Sequence, residues 1–262
     1  MENLQKSDVT LSTISRYKII GETSDALGLG IFSASWNILA LPETNGVGLI
    51  IGAPGNKTAY YFSHTTLETE CLLETDGCQA ASAANHTFVL TEEHANQEFG
   101  KAIAVLDQNG DGISDIFFGL PSTLDGDQNP SNYILNAIGE ASDHGLTFTS
   151  LNQFNNETMS KGYFGKNLLP ANLLGDGYEA LIVGGYSTVD DRLHIFWNSA
   201  ANGLSRDYGS IIEGPATFGY SLATGDFNGD GKLDLAVGAP SYADCTEDKS
   251  SGDTNGEFHV YY

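Results

Sequence analysis

An all-β chain assembled from four repeated units is what the sequence predicts, on three observations. Glycine is abundant, at 31 residues, Asn and Asp are frequent, and Leu- and Lys-rich helical stretches are scarce, which is the composition of short strands joined by turns. Four segments share a frame that opens on an aromatic residue or Leu followed by Gly and closes on a Gly-x-Pro-like triplet. Acidic loops of one pattern recur inside that frame. A chain of 262 residues can bury one sizeable core, and length alone allows one all-β domain or two smaller ones. Evenly recurring units favour one.

The units start at Leu27-Gly28, Phe99-Gly100, Phe164-Gly165 and Phe218-Gly219, and successive starts lie 72, 65 and 54 residues apart. They finish at Gly52-Ala53-Pro54, Gly119-Leu120-Pro121, Gly184-Gly185-Tyr186 and Gly238-Ala239-Pro240. A short β-prone stretch precedes each acidic loop, as at residues 101–106 and 220–224, and another follows it, as at 116–118 and 235–237. Each pair reads as a hairpin. Third strands follow the finishes at residues 59–62, 132–135, 193–197 and 258–262, and fourth strands at 88–90, 147–149 and 209–212.

Four strands in a unit of this length make a propeller blade, whose sheet buries its faces against its neighbours. The expected fold is therefore a single β-propeller over residues 1–262, with blades at 27–91, 99–151, 164–212 and 218–262. The last unit shows only three strands, and residues 14–20, Ile14-Ser15-Arg16-Tyr17-Lys18-Ile19-Ile20, offer a fourth. Pairing the two ends would close a four-bladed ring and remove both exposed sheet edges.

The formal charge of −23, from 34 acidic against 11 basic residues, repels phosphate backbones and anionic membrane surfaces. Nucleic acid is not an expected partner. No window reaches the length of an apolar membrane span, and the start, Met1-Glu2-Asn3-Leu4-Gln5-Lys6, lacks the apolar core of a signal peptide. Cys71 and Cys78 lie in one polar stretch and are candidates for a local disulfide, which would leave Cys245 as the odd thiol. Sequons at Asn56, Asn85 and Asn156 are glycan acceptors only in a secretory cell.

Two loops carry the clearest chemistry. Asp107, Asn109, Asp111 and Asp115, and likewise Asp226, Asn228, Asp230 and Asp234, place side-chain oxygens at loop positions 1, 3, 5 and 9. The main-chain carbonyl at position 7, from Ile113 or Lys232, can complete a shell. A tight loop wraps a cation only if alternate side chains turn inward, and a hard ion such as Ca²⁺ takes six to eight oxygens. An EF-hand would need a Glu at position 12 and flanking helices, whereas Phe118 and Val237 stand there between strand-like flanks. The expectation is two Ca²⁺ sites in β-hairpins, the alternative being Asn-Gly and Asp-Gly turns without metal. Mg²⁺ fits less well, because it demands a tight octahedron. The third unit has Asn172, Leu174, Asp176 and Ala180 in these frames, with Glu179 displaced by one. A leucine removes one ligand, so this loop is expected to be weak or empty.

Residues 218–240 and 99–121, joined by the frame of 164–186 and by Gly52-Ala53-Pro54, resemble the FG-GAP repeats of integrin alpha-subunit propellers and of bacterial exported proteins. The resemblance covers almost the whole chain but departs in number, four units against seven blades. It implies calcium hairpins on one rim, acting as a structural brace, and a ligand face on the other. That face would draw on residues 124–129, 186–192 and 241–244. It also implies a secreted or cell-surface adhesion or recognition module for an extracellular protein or glycan, without membrane insertion. A monomer is expected, with a dimer as the alternative.

Catalytic patterns fare poorly. Gly219-Tyr220-Ser221-Leu222-Ala223 lacks the last glycine of a nucleophile elbow, and His64, His86, His94, His144, His194 and His259 show no zinc spacing. His194 and His259 share a third-strand frame, which suggests sheet packing. An enzyme is not expected. The alternatives are a polysaccharide hydrolase or lyase, with Trp36 or Trp197 as sugar platform, and a structural segment of a larger exported protein.

Overall fold

The computed structural model describes residues 18–21, 30–32, 48–72, 76–90, 98–121, 133–142, 145–154, 164–185, 192–207, 209–215, 217–240 and 256–262. Strand β1 (Ile19–Ile20) precedes four meandering sheets. The first holds β2 (Gly30–Phe32), β3 (Leu49–Ala53), β4 (Thr58–Phe62) and β6 (His86–Val89). Between β4 and β6 come helix α1 (His64–Thr69), strand β5 (Cys78–Gln79) and helix α2 (Ala80–Ala83). The second sheet holds β7 (Ala102–Leu106), β8 (Asp115–Leu120), β9 (Tyr133–Ala137) and β12 (Asn152–Gln153), with β10 (Gly139–Ser142) and β11 (Gly145–Phe148) between the last two. The third is β13 (Asn167–Ala171), β14 (Ala180–Gly184), β15 (Arg192–Phe196) and β16 (Ser210–Glu213); the fourth is β17 (Ser221–Gly225), β18 (Asp234–Ala239) and β19 (Glu257–Tyr261). Neighbours in each sheet are antiparallel. An all-β chain with few helices, stacked sheet on sheet, fits a β-propeller.

The cores lie between blades, because each sheet has two apolar faces to cover. Ile50, Ala59, Tyr61 and Phe88 of the first blade meet Phe99, Ile103, Val105, Ile116 and Phe118 of the second. On the opposite face of the second blade, Ala104, Leu106, Phe117 and Ile134 meet Phe164, Leu181, Val183 and Phe196 of the third. Ile182, Leu193 and Ile195 then meet Phe218, Leu235, Val237 and Ala239 of the fourth. His194 and His259 sit edge-on to Phe164 and Phe218, at 5.2 and 5.4 Å between ring centres, so their shared frame is one of sheet packing.

Both halves of the repeat signature meet at these junctions. A Cβ built on Gly52 would overlap the main chain of Gly100, one on Gly119 that of Gly165, and one on Gly184 that of Gly219. The glycine that finishes one unit is thus pressed against the glycine that starts the next, and Gly100, Gly165 and Gly219 hold left-handed φ of 81°, 87° and 88°. Such a conformation, at a point of backbone contact, excludes side chains at both positions. At the last of these junctions Asn167 Nδ2 also donates to the carbonyls of Gly219 and Tyr220, at 3.0 and 2.6 Å.

Two expectations need correction. Of the expected closing strand 14–20 the described residues begin at Lys18, and they pair elsewhere: Ile19 and Ile20 run parallel to Cys78 and Gln79, anchored by Lys18 N–H to the Cys71 carbonyl and Cys78 N–H to the Lys18 carbonyl. Among the described residues no sheet is closed by the chain ends. The physical reason is an apolar surface on the first blade: Ile51, Ala53, Tyr60 and Phe62 lie under Leu67, Cys71, Cys78 and Ala80, and Ile19 packs on the same cluster. In the second blade the fourth strand, expected at 147–149, runs further and is broken. Gly139 pairs with Phe148 but Asn136 pairs with Asn152, so one extra residue forms a β-bulge. There Thr149 N–H donates to the Ile138 carbonyl and Thr149 Oγ1 accepts from Ile138 N–H, both at 2.9 Å.

Cys71 and Cys78 are bridged, with a sequence separation of 7. Closing so short a loop restricts the unfolded chain by about 2–3 kcal/mol. Replacing both by Ala is expected to raise amide exchange across residues 64–84 while leaving β13–β15 protected. Equal loss of protection in the third blade would show that the cap is not a local unit. Among the described residues no helix is long and apolar enough to cross a membrane.

Candidate metal centre

The turn from β7 to β8 and the turn from β17 to β18 are built alike at positions 1, 3 and 5. Asp107 Oδ1 accepts from the N–H of Gly110 at 2.7 Å and of Asp111 at 3.3 Å, and Oδ2 accepts from Gly112 at 2.8 Å. Asp226 repeats this with Gly229, Asp230 and Gly231 at 2.6, 3.0 and 2.8 Å. The Asn109 and Asn228 carbonyl oxygens accept from Asp111 and Asp230 N–H, and Asp111 and Asp230 accept in turn from Ile113 and Lys232 N–H. Side chains at positions 1, 3 and 5 therefore turn into one loop, as alternation requires. Glycines at positions 4 and 6 make the bend: φ is 76° and 81° at Gly110 and Gly112, and 80° and 85° at Gly229 and Gly231. A Cβ at any of the four would meet open space, so conformation and not crowding selects glycine here.

Position 9 closes each turn from below. Asp115 is fully buried and Asp234 almost so. Asp115 Oδ2 accepts from Gln108 N–H at 2.9 Å and Oδ1 from Gly139 N–H at 2.8 Å. Asp234 Oδ2 accepts from Phe227 and Asn228 N–H at 2.8 and 3.3 Å. Burial pushes the Asp115 carboxyl up to about 7; the two backbone hydrogen bonds pull it down, and the charges of Asp111 and Asp107 push it further up. The charges of Asp107 and Asp111 thus disfavour the ionised Asp115, and a divalent cation in the loop would offset that repulsion.

The donor chemistry therefore fits a hard cation, in a shell of mixed origin. Among the described residues no three His, Cys, Asp or Glu side chains are gathered closely enough to hold a metal by themselves. A shell would need Asn109 or Asn228 and the main-chain carbonyl of Ile113 or Lys232 beside the carboxylates.

The third loop keeps the scaffold and loses the chemistry. Asp176 N–H donates to Asn172 Oδ1 and Tyr178 N–H to Asp176 Oδ1, at 3.1 and 3.0 Å, and Gly175 and Gly177 hold φ of 67° and 92°. Leu174, at position 3, points to solvent, and Ala180 stands where Asp115 and Asp234 stand. Burial raises the pKa of Glu179.

Contacts invisible in the repeat pattern tie the second blade's loop to the third blade. Asn198 Nδ2 donates to the Asp107 carbonyl at 2.9 Å, and Leu204 N–H donates to the Gln108 carbonyl at 2.7 Å. Within the second blade itself, Asn136 Nδ2 donates to Gln108 Oε1 at 2.9 Å. Only Asn202-Gly203 marks that turn in the sequence, and an Asn-Gly pair does not reveal which neighbour it touches. Trp197 is half-buried in the core between the third and fourth blades, its indole N–H donating to Ser210 Oγ at 2.9 Å, which is a packing role and not a sugar platform. Ser221 opens β17. The expected ligand-face residues 124–129, 186–191 and 241–244, and also Leu27-Gly28, Trp36, Cys245, Asn156 and most of the first unit's loop, lie outside the described residues.

Comparison with known proteins agrees with the junctions and loops. The family description "FG-GAP-like repeat" matches residues 172–237 and "FG-GAP repeat" matches residues 218–261. Residues 172–261 carry FG-GAP repeats, and the chain is integrin-like in sequence. It is 31% identical to Integrin alpha-PS2 of Drosophila melanogaster over 170 residues, 59% of this chain and 12% of that protein. It is 32% identical to Integrin alpha-V of Gallus gallus over 166 residues, 57% and 15% respectively. With Integrin alpha-3 of Cricetulus griseus it shares 35% over 92 residues, 32% and 9%. The chain thus spans only a small part of the length of these relatives. The repeat matches include the loops of 172–179 and 226–234, while the loop of 107–115 belongs to the same series by its hydrogen bonds.

Proposed function

We propose that this FG-GAP domain is a calcium-braced recognition module, not an enzyme, working at the cell surface or outside the cell on a protein or glycan ligand. The observation that carries the reading is the identical inward-turned oxygen frame of Asp107, Asn109, Asp111 and Asp115 and of Asp226, Asn228, Asp230 and Asp234, at equivalent points of two repeats. Chance turn formation has no reason to reproduce a late buried carboxylate in both. Calcium would be held by these side chains with the carbonyls of Ile113 and Lys232, and it supplies positive charge among crowded carboxylates. The third loop, with Asn172, Asp176 and Glu179 but a solvent-facing Leu174, holds little or none.

Binding coupled to folding makes such an ion a brace. Because Asn198 and Leu204 grip the main chain of the loop at Asp107 and Gln108, ordering that loop also orders the junction with the third blade. The integrin-like sequence supports a recognition role, with the ligand surface on loops away from the hairpins.

The test is a panel of immobilised extracellular proteins and glycans probed with the chain in Ca²⁺ and in EDTA. Binding to a defined class that weakens in EDTA supports the reading. Turnover of a polysaccharide substrate, or no binding anywhere on a broad panel, would overturn the recognition role.

A further inference from the structure

We propose that the turn at residues 198–205 of the third blade sets the calcium affinity of the loop at residues 107–115 of the second, with Asn198, Leu204 and Gln108 as positioning residues outside the metal shell. The inference rests on the calcium reading above and adds to it a control that reaches across a blade junction. Position 2 of the loop is not in the ligand set, yet Gln108 there is held from three elements. Its N–H donates to Asp115 Oδ2 at 2.9 Å, its carbonyl accepts from Leu204 N–H at 2.7 Å, and its Oε1 accepts from Asn136 Nδ2 at 2.9 Å. One residue earlier, Asn198 Nδ2 donates to the Asp107 carbonyl at 2.9 Å. Asn198 and Asn136 are both buried, and a buried amide is costly unless its groups are paired.

The turn is shaped to stand against that loop. Ser199 and Gly203 exchange both main-chain hydrogen bonds, at 3.2 and 2.9 Å, and Ser205 N–H returns to the Trp197 carbonyl at 2.9 Å. Asn198 Oδ1 accepts from Ser199 N–H at 2.8 Å. The amide is thus fixed at its acceptor end within its own turn and offers its donor to the neighbouring blade. Gly203 holds a φ of 66°, and a Cβ there would lie 2.5 Å from the Gln108 carbonyl oxygen and 3.5 Å from Asn109 Cα. The third blade therefore presses on the main chain between ligand positions 1 and 3.

A loop bent at left-handed glycines in positions 4 and 6 loses chain entropy when it closes on an ion. Fixing positions 1 and 2 beforehand lowers that cost, which is preorganisation. Groups that orient metal ligands from outside the shell typically change affinity by about 10–100-fold. Linkage makes the effect reciprocal: what the turn does for calcium, calcium does for the turn. An ion in the loop accordingly makes the junction of the second and third blades harder to open. The loop of the fourth blade has Phe227 in the place of Gln108, a side chain without an amide, and serves as the internal reference.

The test is calorimetric titration of Ca²⁺ into the chelator-stripped full chain in two backgrounds. Asp226→Asn leaves the loop of 107–115 to be read, and Asp107→Asn leaves the loop of 226–234. Asn198→Ala is expected to raise the dissociation constant at least about tenfold in the first background and to leave it unchanged in the second. Gln108→Ala, which leaves the third blade intact, is expected to shift it in the same direction, and decides the matter if Asn198→Ala does not fold. In the unsubstituted chain, exchange of the Leu204 amide hydrogen is expected to slow at least about tenfold when Ca²⁺ replaces EDTA. An unchanged constant in the folded variant, an equal loss in both loops, or Leu204 exchange indifferent to calcium would overturn the proposal while leaving calcium in the loops. No calcium bound in either background would overturn the calcium reading and the proposal together.

Discussion

Chelating divalent cations with EDTA is expected to lower the melting temperature of the chain by about 10–20 °C. At free calcium a hundred times the dissociation constant, each site adds about 2.7 kcal/mol to the folded state, and two sites about 5. In a domain of this size each kcal/mol is worth about 2–4 °C. The loss should be cooperative, because the loop of the second blade is tied through Asn198 and Leu204 to the third, and the loop of the fourth rises from the strands that face the third. Calcium added in excess should restore the melt, and Mg²⁺ should do so poorly. A melt that is the same in Ca²⁺ and EDTA would remove calcium from the stability of the fold.

Gly119→Ala is expected to be among the most damaging of the small substitutions. The added methyl would enter the main chain of Gly165, and backbone cannot rotate away as a side chain can, so the second and third blades must part. A cost of at least about 3 kcal/mol follows, at the upper end of overpacking, or about 6–12 °C in melting temperature. Gly238→Ala is the control. It has the same place in its repeat, but the methyl's nearest neighbour is the Ser221 hydroxyl, which can turn aside, and Ala is the better strand residue by about 0.5–1 kcal/mol. Its effect should stay within about 1 kcal/mol. Equal damage at both positions would mean that a further blade already covers Gly238 within one chain.

The repeat frame could be read from residues because its glycines and acidic loops are demanded by local backbone geometry. Phe99-Gly100, Gly119 and the loop of Asp107 to Asp115 each carry a conformation or a contact that few other residues allow, so spacing alone revealed blade, hairpin and candidate ligands. The altered third loop was also legible, since Leu174 has no side-chain oxygen and the structure turns it to solvent. What escaped notice depends on who faces whom. Ile14 to Ile20 look like any edge strand, and only the apolar surface around Tyr60 and Phe62, with the bridged cap, shows why Ile19 and Ile20 go to Cys78 and Gln79. The bulge at Thr149 is likewise a matter of register: it leaves the N–H of Gly139 free to reach Asp115, a link no spacing rule contains. Asn198 and Leu204 act across a blade junction, 91 and 96 positions from the carbonyls they bind, beyond the reach of any local pattern.

Isothermal titration of Ca²⁺ into the chelator-stripped chain tests the two hairpins most directly. Two equivalents of bound calcium are expected for the wild type, one for Asp107→Asn or Asp226→Asn, and none for the two combined. No heat of binding to the wild type, or two equivalents still bound by the double variant, would contradict the assignment of these loops as metal centres.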